Sequence, residues 1–476
     1  MNSGFRYGII FLMLLCKNGA AAIRLPALIN DNMVLQQQSK IRLWGGAAPG
    51  ARVKIQLGWN KEHYHVVADR SGNWELWVQT PAGSFTAYDI KISDGREITI
   101  KNVLLGEVWL CGGQSNMEMS PRGYANQPLY NAAEETLDAD YPYIRFFSIP
   151  RSFSVTPKAE SGGSWKTVSP GSVETFSTIG FNFGKMISKT LRVPVGLIGC
   201  YWGGSKVEAW MSEQALTPFQ QVVIKNESLN QTYANRAPTL LYNGMLYPLA
   251  RYVIKGVLFY QGEANVDQPE AYQHLFPAMV ADWRALFNAP FPVYYVQLAP
   301  WGYTNMGWRA DGTEVARFRE IQQSCLDKIP GSAIVSTIDI GAETTIHPPE
   351  KRTVANRLAF LALSDTYGLK AVKGAAPILS GSAVNGDTIT VRMINTGFGL
   401  SDYGKGLKGF EIAGSDRKFY EAHAAIIRGS KDGAIAVWSE RVSHPVAVRY
   451  CFRNYTYGNL YNSYGIAALP FRTDAW

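Results

Sequence analysis

The segment Val103–Glu118, VLLGEVWLCGGQSNME, decides how the middle of this chain folds. Its first half alternates β-branched or aromatic side chains with smaller ones over the length of a strand. Two glycines follow, and glycine lets a chain turn sharply and lets backbone approach a ligand closely. Ser115 comes directly after this turn, between Gln114 and Asn116. The position suits a nucleophile, although Ser115 and Asn116 would serve equally well as a cap for the next helix.

Strand-like runs and helical patterns alternate from Val103 to about Leu369, which predicts a parallel sheet flanked by helices. The strand-like runs are EVWLCG, VPVGLIGCYWG, IKGVLFYQG, FPVYYVQLA and AIVSTIDIG, and the helical patterns include FNFGKMISKTL, HLFPAMVADWRALF and EKRTVANRLAFLALSDTYG. Short alternating runs separated by turn signals lie on either side and predict β-sandwich or jelly-roll regions. We therefore expect an N-terminal β domain at 23–101, an α/β domain at 102–369 and a C-terminal β-rich region at 370–476.

The bulk composition excludes several classes of protein. A hydrophobic content of 46% and a charged content of 18% in 476 residues are typical of a globular chain with two or three domains. The net charge of +8 is scattered rather than clustered, so we expect no nucleic-acid partner. The wide spacing of the cysteines matches no zinc or redox motif, and we expect no metal and no cofactor. The oligomeric state is not predicted.

The N-terminus predicts export. An apolar run, Tyr7–Cys16, follows Arg6 and precedes three alanines, so residues 1–22 are expected to be a signal peptide and the protein periplasmic or extracellular. A lipid anchor at Cys16 is disfavoured because Leu15 is large for that processing. No later apolar run has membrane-spanning length. Of the other four cysteines, Cys111 and Cys200 are the first pair to consider for a disulfide, with buried free thiols as the alternative.

Ligands bind at the carboxyl ends of strands in open α/β sheets, which directs attention to the loops that follow the predicted strands. A serine needs a base, and His347, in TTIHPPEK after the last predicted strand, is the histidine best placed on the rim that carries Ser115. Its position beside two prolines is also compatible with a purely structural role for this histidine. The glycine-rich loop YWGGS and the loop YQGEAN would supply backbone or side-chain N–H donors for an oxyanion, or would only be tight turns.

The ordered blocks GGQSNM, GGSKVEAW, YQGEAN and IHP resemble the sialate O-acetylesterase family within the SGNH hydrolases. The likeness extends from PALINDNMVLQQ to LPFRTDAW. It implies a flavodoxin-like three-layer α/β/α core with flanking all-β regions, and removal of O-acetyl groups from sialic acids. By this resemblance Ser115 is the nucleophile and His347 the general base. The N–H groups of Ser115 and Gly204 are oxyanion donors, with a third donor from Gln261 or Asn265.

One position departs from the superfamily pattern. Thr344 stands where many relatives carry an aspartate three residues before the histidine, so a backbone carbonyl, Asp339 or Glu343 would have to orient the imidazole. We expect Trp202 and Glu263 to contact the sugar; further aromatic candidates for stacking are Trp210, Trp301, Tyr303 and Trp308. Two alternatives remain open: a deacetylase of plant polysaccharide, such as xylan or pectin, using the same dyad, and a sugar-binding protein without catalysis.

Overall fold

The computed structural model describes residues 22–224, 233–302, 307, 309–429 and 433–476. Residues 1–21, which include Cys16 and all but the last residue of the predicted signal peptide, lie outside the described residues. Tyr303 and Trp308 also lie outside them. Within the described ranges, no helix is both long enough and apolar enough to cross a membrane.

The N-terminal region is built of strands, as predicted. Its strands are β1 (Val34–Gln36), β2 (Lys40–Gly46), β3 (Arg52–Leu57), β4 (His63–Val67), β5 (Asn73–Gln79), β6 (Ser84–Ser93) and β7 (Glu97–Gly113). Strand β3 pairs with β4 and β6, β6 pairs with β7, and β2 and β5 form a separate two-stranded sheet.

Strand β7 connects this region to the rest of the molecule. Its first half pairs with β6, and its first six residues are mostly exposed or half-buried, whereas every residue from Val103 to Gly113 is buried. Burial on both faces is typical of a central strand in a parallel sheet. The strand runs without a break through the expected domain boundary between residues 101 and 102, so the two regions share one continuous element.

The central part of the large mixed sheet has the strand order β13-β12-β11-β7-β10-β8-β9. Its further strands are β8 (Tyr141–Ser148), β9 (Trp165–Val168), β10 (Val195–Tyr201), β11 (Gly256–Tyr260), β12 (Val293–Val296) and β13 (Ser332–Val335). All neighbours along this path are parallel except β8 and β9. The carboxyl ends of β7, β10, β11, β12 and β13 therefore point to one rim.

The helices lie mainly in this middle region. They are α1 (Ser115–Glu118), α2 (Ala132–Leu137), α3 (Pro170–Val173), α4 (Thr178–Leu191), α5 (Glu213–Leu216), α6 (Pro269–Phe287), α7 (Glu314–Ser324) and α8 (Arg352–Leu361), with short 3-10 or π turns at Val207–Trp210, Tyr242–Leu246, Tyr247–Leu249, Glu263–Asn265, Cys325–Lys328 and Ala362–Thr366. Helix α4 begins where the Ser177 hydroxyl accepts the N–H of Gly180, and it ends at Arg192 in a left-handed conformation.

Helices cover both faces of the sheet at β7. Helix α4 lies close to Cys111 of β7, because a Cβ at Gly180 would lie 3.0 Å from the Cys111 sulfur. Helix α6 lies close to the next residue of β7, because a Cβ at Gly112 would lie 3.4 Å from the Trp283 ring. Consecutive strand residues point to opposite faces, so α4 and α6 pack on opposite sides. This arrangement leaves the strand ends accessible to loops.

The C-terminal region forms antiparallel sheets, as predicted. Its strands are β14 (Ile378–Asn385), β15 (Thr388–Ile394), β16 (Leu400–Ser401), β17 (Phe410–Ala413), β18 (Phe419–Glu421), β19 (His423–Ile426), β20 (Ala434–Trp438), β21 (Ala447–Tyr450), β22 (Tyr461–Asn462) and β23 (Phe471–Arg472). They form the sheets β14-β15-β20-β19, β18-β17-β21-β23 and β16-β22 around a core of their own. An ion pair between Arg472 and Glu320 joins this region to α7.

Cys111 and Cys200 do not form a disulfide. Cys111 on β7 pairs in register with Gly199 on β10, so Cys200 is offset by one residue and its side chain points to the opposite face. Cys111, Cys200, Cys325 and Cys451 are all buried free thiols. Burial raises the pKa of each of them.

Candidate active site

Ser115 lies at the rim because β7 ends in a turn that only glycine can form. Gly113 has a φ of +130°, and a Cβ there would lie 2.1 Å from the carbonyl oxygen of Tyr260 on β11. The next N–H, that of Gln114, donates to the same carbonyl at 2.9 Å. Helix α1 then begins at Ser115, whose side chain is half-buried beside the sheet edge.

His347 reaches Ser115 from the loop between β13 and α8. Its Nε2 lies 2.8 Å from Oγ of Ser115, and its Nδ1 lies 2.6 Å from Oε1 of Gln127. The backbone N–H of His347 donates to the Thr345 hydroxyl at 3.2 Å, and the Tyr124 ring packs 4.9 Å from the imidazole. Tyr124 also donates its hydroxyl to the Ser115 carbonyl at 2.9 Å, so both residues of the pair are held on more than one side.

The protonation of His347 follows from these contacts. Burial, and secondarily the positive charge of Lys351, lower the pKa of His347 to about 4. The imidazole is therefore neutral at neutral pH. Because Nδ1 faces a carbonyl oxygen, which only accepts, the proton of the neutral ring lies on Nδ1 and the lone pair of Nε2 faces the Ser115 hydroxyl. This is the tautomer that can accept a proton from serine.

Neither expected carboxylate orients the imidazole. Both carboxylate oxygens of Asp339 bind the guanidinium of Arg357 on α8, at 2.8 and 2.6 Å, and both side chains are buried. Glu343 is exposed on the loop surface. The expectation for Asp339 is therefore corrected: a bidentate pair with arginine satisfies it, and the partner of Nδ1 is the neutral amide of Gln127.

The YWGGS loop brings further backbone N–H groups close to Ser115. A Cβ at Gly203 would lie 3.3 Å from Cβ of Ser115, so the YWGGS loop passes directly over the serine. The Gly203 N–H donates to Glu118, whereas those of Ser115 and Gly204 meet no acceptor in the described part of the chain. Gly204 has a φ of +70°, a conformation that favours glycine. These two N–H groups are therefore candidates to bind a ligand.

The side chains of Gln261 and Asn265 are buried and hydrogen-bonded within the protein, so neither is exposed to a ligand in this conformation. The Gln261 amide N–H group donates to the Ser205 carbonyl and to Oδ1 of Asn265, at 3.0 and 2.8 Å. Asn265 donates in turn to Glu208 at 2.9 Å and accepts the backbone N–H of Val207. Both side chains are buried, and their hydrogen bonds join the second and third loops. This arrangement does not support the expectation of a third donor from either residue, which stays a prediction.

The expected sugar contacts divide into accessible and buried groups. Trp202 is half-buried on the rim, and its ring centre lies 5.7 Å from the guanidinium of Arg151. Glu263, in contrast, is only 7% exposed and accepts the Asn116 amide, so it cannot contact a sugar in this conformation. Trp210 is fully buried, and its indole N–H donates to Ser205. Trp301 is only 6% exposed, although it is among the residues that line the cleft beside His347.

A cleft of about 420 Å³ opens beside the imidazole. Its described lining residues, all without a formal charge when His347 is neutral, are Asn126, Gln127, Pro128, Tyr130, Trp301, Thr344, Thr345, Ile346, His347 and Pro349. Among the residues that the structure describes, no group of three or more His, Cys, Asp or Glu side chains is arranged to hold a metal ion.

Sequence reasoning missed Gln127, Tyr124, Asn116 and Lys351. Gln127 and Tyr124 lie in an irregular loop after α1, where no periodicity or motif distinguishes one polar residue from another. Asn116 and Lys351 lie inside the quoted blocks LCGGQSNME and TTIHPPEK. A lysine one position before a helix, next to a candidate catalytic loop, was a signal that could have identified Lys351.

Comparison with known proteins places the chain in a family. A sequence model described as carbohydrate esterase, sialic acid-specific acetylesterase (SASA), matches residues 105–361, more than half of the chain. The sialate O-acetylesterase of Mus musculus is 28% identical over 439 residues, which cover 78% of this chain and 79% of that protein. The sialate O-acetylesterase of Homo sapiens is 28% identical over 419 residues, covering 79% and 77%.

A solved structure is similar over nearly the whole chain. It is a carbohydrate acetylesterase from Xanthomonas citri, with a TM-score of 0.85 and 33% identity, covering 96% of this chain and 100% of that one. The chain is therefore a member of the SASA family of carbohydrate esterases, and it is an esterase.

Proposed function

We propose that this esterase removes O-acetyl groups from sugars through a Ser115–His347 pair, within an SGNH-type three-layer core. The observation that carries the proposal is the 2.8 Å contact between Nε2 of His347 and Oγ of Ser115. It is supported by the N–H groups of Ser115 and Gly204, which have no acceptor within the described ranges. Serine is a weak nucleophile unless a base takes its proton, and the neutral imidazole is oriented to do so.

The proposed reaction has two steps. Oγ of Ser115 attacks the acetyl carbonyl while Nε2 of His347 takes the hydroxyl proton, and the N–H groups of Ser115 and Gly204 stabilise the oxyanion. His347 then gives that proton to the leaving sugar oxygen. Water attacks the acetyl-serine with His347 again as base, which releases acetate and restores the hydroxyl. The Gln127 carbonyl holds the ring in position but supplies no negative charge for the imidazolium.

We propose O-acetylated sialic acid as the substrate. Membership of the family and the two curated relatives support it. Sialic acid carries a carboxylate, and Arg151 offers a half-exposed guanidinium beside Trp202 that pairs with Glu118. Glu118 in turn accepts the N–H of Gly203, next to Ser115, so this cation lies on the same rim as the nucleophile.

A second candidate substrate is acetylated plant polysaccharide, such as xylan. The uncharged lining of the cleft beside His347 favours a neutral sugar chain, for which the exposed ring of Tyr130 would offer aromatic surface. The relative of known structure that covers most of this chain is described more broadly, as a carbohydrate acetylesterase.

Acetate release from O-acetylated sialic acid and from acetylated xylan separates these candidates. The sialic acid proposal predicts a higher kcat/KM on the sialic acid and a loss of about 10- to 150-fold in Arg151→Met on that substrate alone, since a charged contact contributes about 1.5–3 kcal/mol. A preference for xylan that Arg151→Met leaves unchanged would reject the sialic acid proposal. Retention of activity in Ser115→Ala on both substrates would reject the serine mechanism.

A further inference from the structure

Three buried polar side chains lie behind the nucleophile and take no part in the proposed reaction. Asn116, the residue after Ser115, is 1% exposed; Lys351, just before α8, is 3% exposed; and Glu263, in the third loop, is 7% exposed. They come from three different strand-end loops that meet at this point. Their types are unusual for a protein interior, where lysine and glutamate are seldom fully buried.

The Asn116 amide is at the centre of this cluster. Nζ of Lys351 donates to Oδ1 of Asn116 at 2.6 Å. The Asn116 amide N–H group donates to Oε1 of Glu263 at 2.5 Å and to the carbonyl oxygen of Ile346 at 3.1 Å. Ile346 precedes His347 directly. One side chain therefore connects the residue after the nucleophile to the residue before the base.

The ammonium decides which way this amide faces. An asparagine amide can rotate by half a turn and exchange its oxygen for its nitrogen. Rotation here would point an N–H group at the ammonium of Lys351 and a carbonyl oxygen at the Ile346 carbonyl and at Glu263. Each of these contacts would be repulsive, so Lys351 and Glu263 together hold the orientation that binds the His347 loop.

Stability alone does not explain such a cluster. Removing an ammonium and a carboxylate from water costs several kcal/mol each, and buried ion pairs can often be replaced by apolar residues without loss of stability. Burial lowers the pKa of Lys351 to about 7 and raises the pKa of Glu263, and the charge of each partner opposes these shifts. One Glu263 oxygen has no hydrogen-bond partner in the described part of the chain.

We propose that Lys351 is a positioning residue of this esterase, which fixes the Asn116 amide and through it the distance between Oγ of Ser115 and Nε2 of His347. The proposal rests on the serine–histidine mechanism proposed above. Lys351 does not contact substrate. It faces Asn116 and the carboxylate of Glu263, with Glu350 nearby and the Tyr260 ring centre 5.9 Å from Nζ.

The charge of Lys351 also affects the pH range in which His347 can act as a base. The positive charge of Lys351 contributes to the low pKa of His347. A base works only when unprotonated, so activity is present above this pKa and lost as the pH falls through it. Removal of the Lys351 charge should raise the pKa of His347, but not beyond its ordinary value, because burial, the larger cause, remains.

Lys351→Met tests the proposal. We expect kcat to fall by about 10- to 100-fold with KM changed less than about twofold, because a misplacement near 1 Å costs catalysis rather than binding. The acid limb of kcat/KM should move above pH 4, and labelling of Ser115 by a serine-directed phosphonate should slow by the same factor as kcat. Asn116→Ala should cause a similar loss of kcat, and the double variant should lose little more than either single variant.

Arg357→Met is the matched control, because Arg357 is also a buried cation, on the adjoining helix α8, and binds Asp339 instead of the site. It should lower the melting temperature but leave the pH profile and the labelling rate of the folded enzyme unchanged. If Lys351→Met and Asn116→Ala lower only the melting temperature, as the control does, the positioning role is rejected. If Ser115→Ala is active, the proposed function itself fails, a separate result.

Discussion

Replacing Gln127 by Glu would put a carboxylate where a neutral carbonyl now accepts the Nδ1 proton of His347, at 2.6 Å. The two side chains have the same shape, so the substitution changes charge and little else. An opposite charge at this distance favours the imidazolium and shifts a pKa by about 1–3 units. The pKa of His347, now about 4, should therefore rise to roughly 5–7.

The size of the effect follows from that range. At pH 5 the neutral fraction of the imidazole should fall from about 0.9 to between roughly 0.5 and 0.01, whereas at pH 8 the ring stays at least about 90% neutral in both proteins. Activity at pH 8 should be retained or increased, because the carboxylate stabilises the imidazolium formed in the transition state. The acid limb should thus move to higher pH without a loss of alkaline activity.

The assay is kcat/KM for acetate release from pH 4 to pH 9, which reports the pKa values of the free enzyme. Gln56→Glu is the matched control, because Gln56 is exposed on β3 and the substitution adds the same charge in the N-terminal region. The reasoning is refuted if Gln127→Glu leaves the acid limb where it is in the wild type and in Gln56→Glu, or moves it to lower pH.

Three further results are expected. Asp339→Ala should lower the free energy of unfolding by about 3–5 kcal/mol, measured by denaturant titration, because it leaves the buried Arg357 unpaired. If it instead shifts the pH profile of activity, Asp339 is the carboxylate that orients His347 after all. Gly113→Ala should yield no soluble, active protein, since its Cβ would lie 2.1 Å from the Tyr260 carbonyl oxygen. Expression and activity at the wild-type level would disprove the close approach of β7 and β11. A reducing agent should leave the melting temperature unchanged, because the four described cysteines are free thiols, and a drop would reveal a disulfide.

Much of the architecture could be predicted because its signals are local. Strand-like apolar runs followed by glycine predicted β7, β10 and β11, and helical patterns predicted α4, α6 and α8. The pair β8 and β9 was missed, since the first residues of β8 are partly exposed and β9 has only four residues, so neither has that continuous apolar pattern. The continuity of β7 across residues 101 and 102 was missed because a change in composition along the chain need not interrupt a strand.

The candidate site was less predictable, because its hydrogen bonds join distant parts of the chain. The order of the parallel strands accounts for the meeting of Ser115 and His347, which are 232 residues apart. No sequence pattern shows that Asp339 binds Arg357, or that Asn265 is already satisfied by Glu208. Such pairings depend on side-chain directions that only the folded loops define.

Covalent labelling by a serine-directed phosphonate, with the modified residue located by mass spectrometry, tests the central claim most directly. A proton acceptor 2.8 Å from the Ser115 hydroxyl predicts one adduct, on Ser115, formed at a rate that falls at least about a hundredfold in His347→Ala. An adduct on another residue, or equal rates in the wild type and His347→Ala, would contradict it.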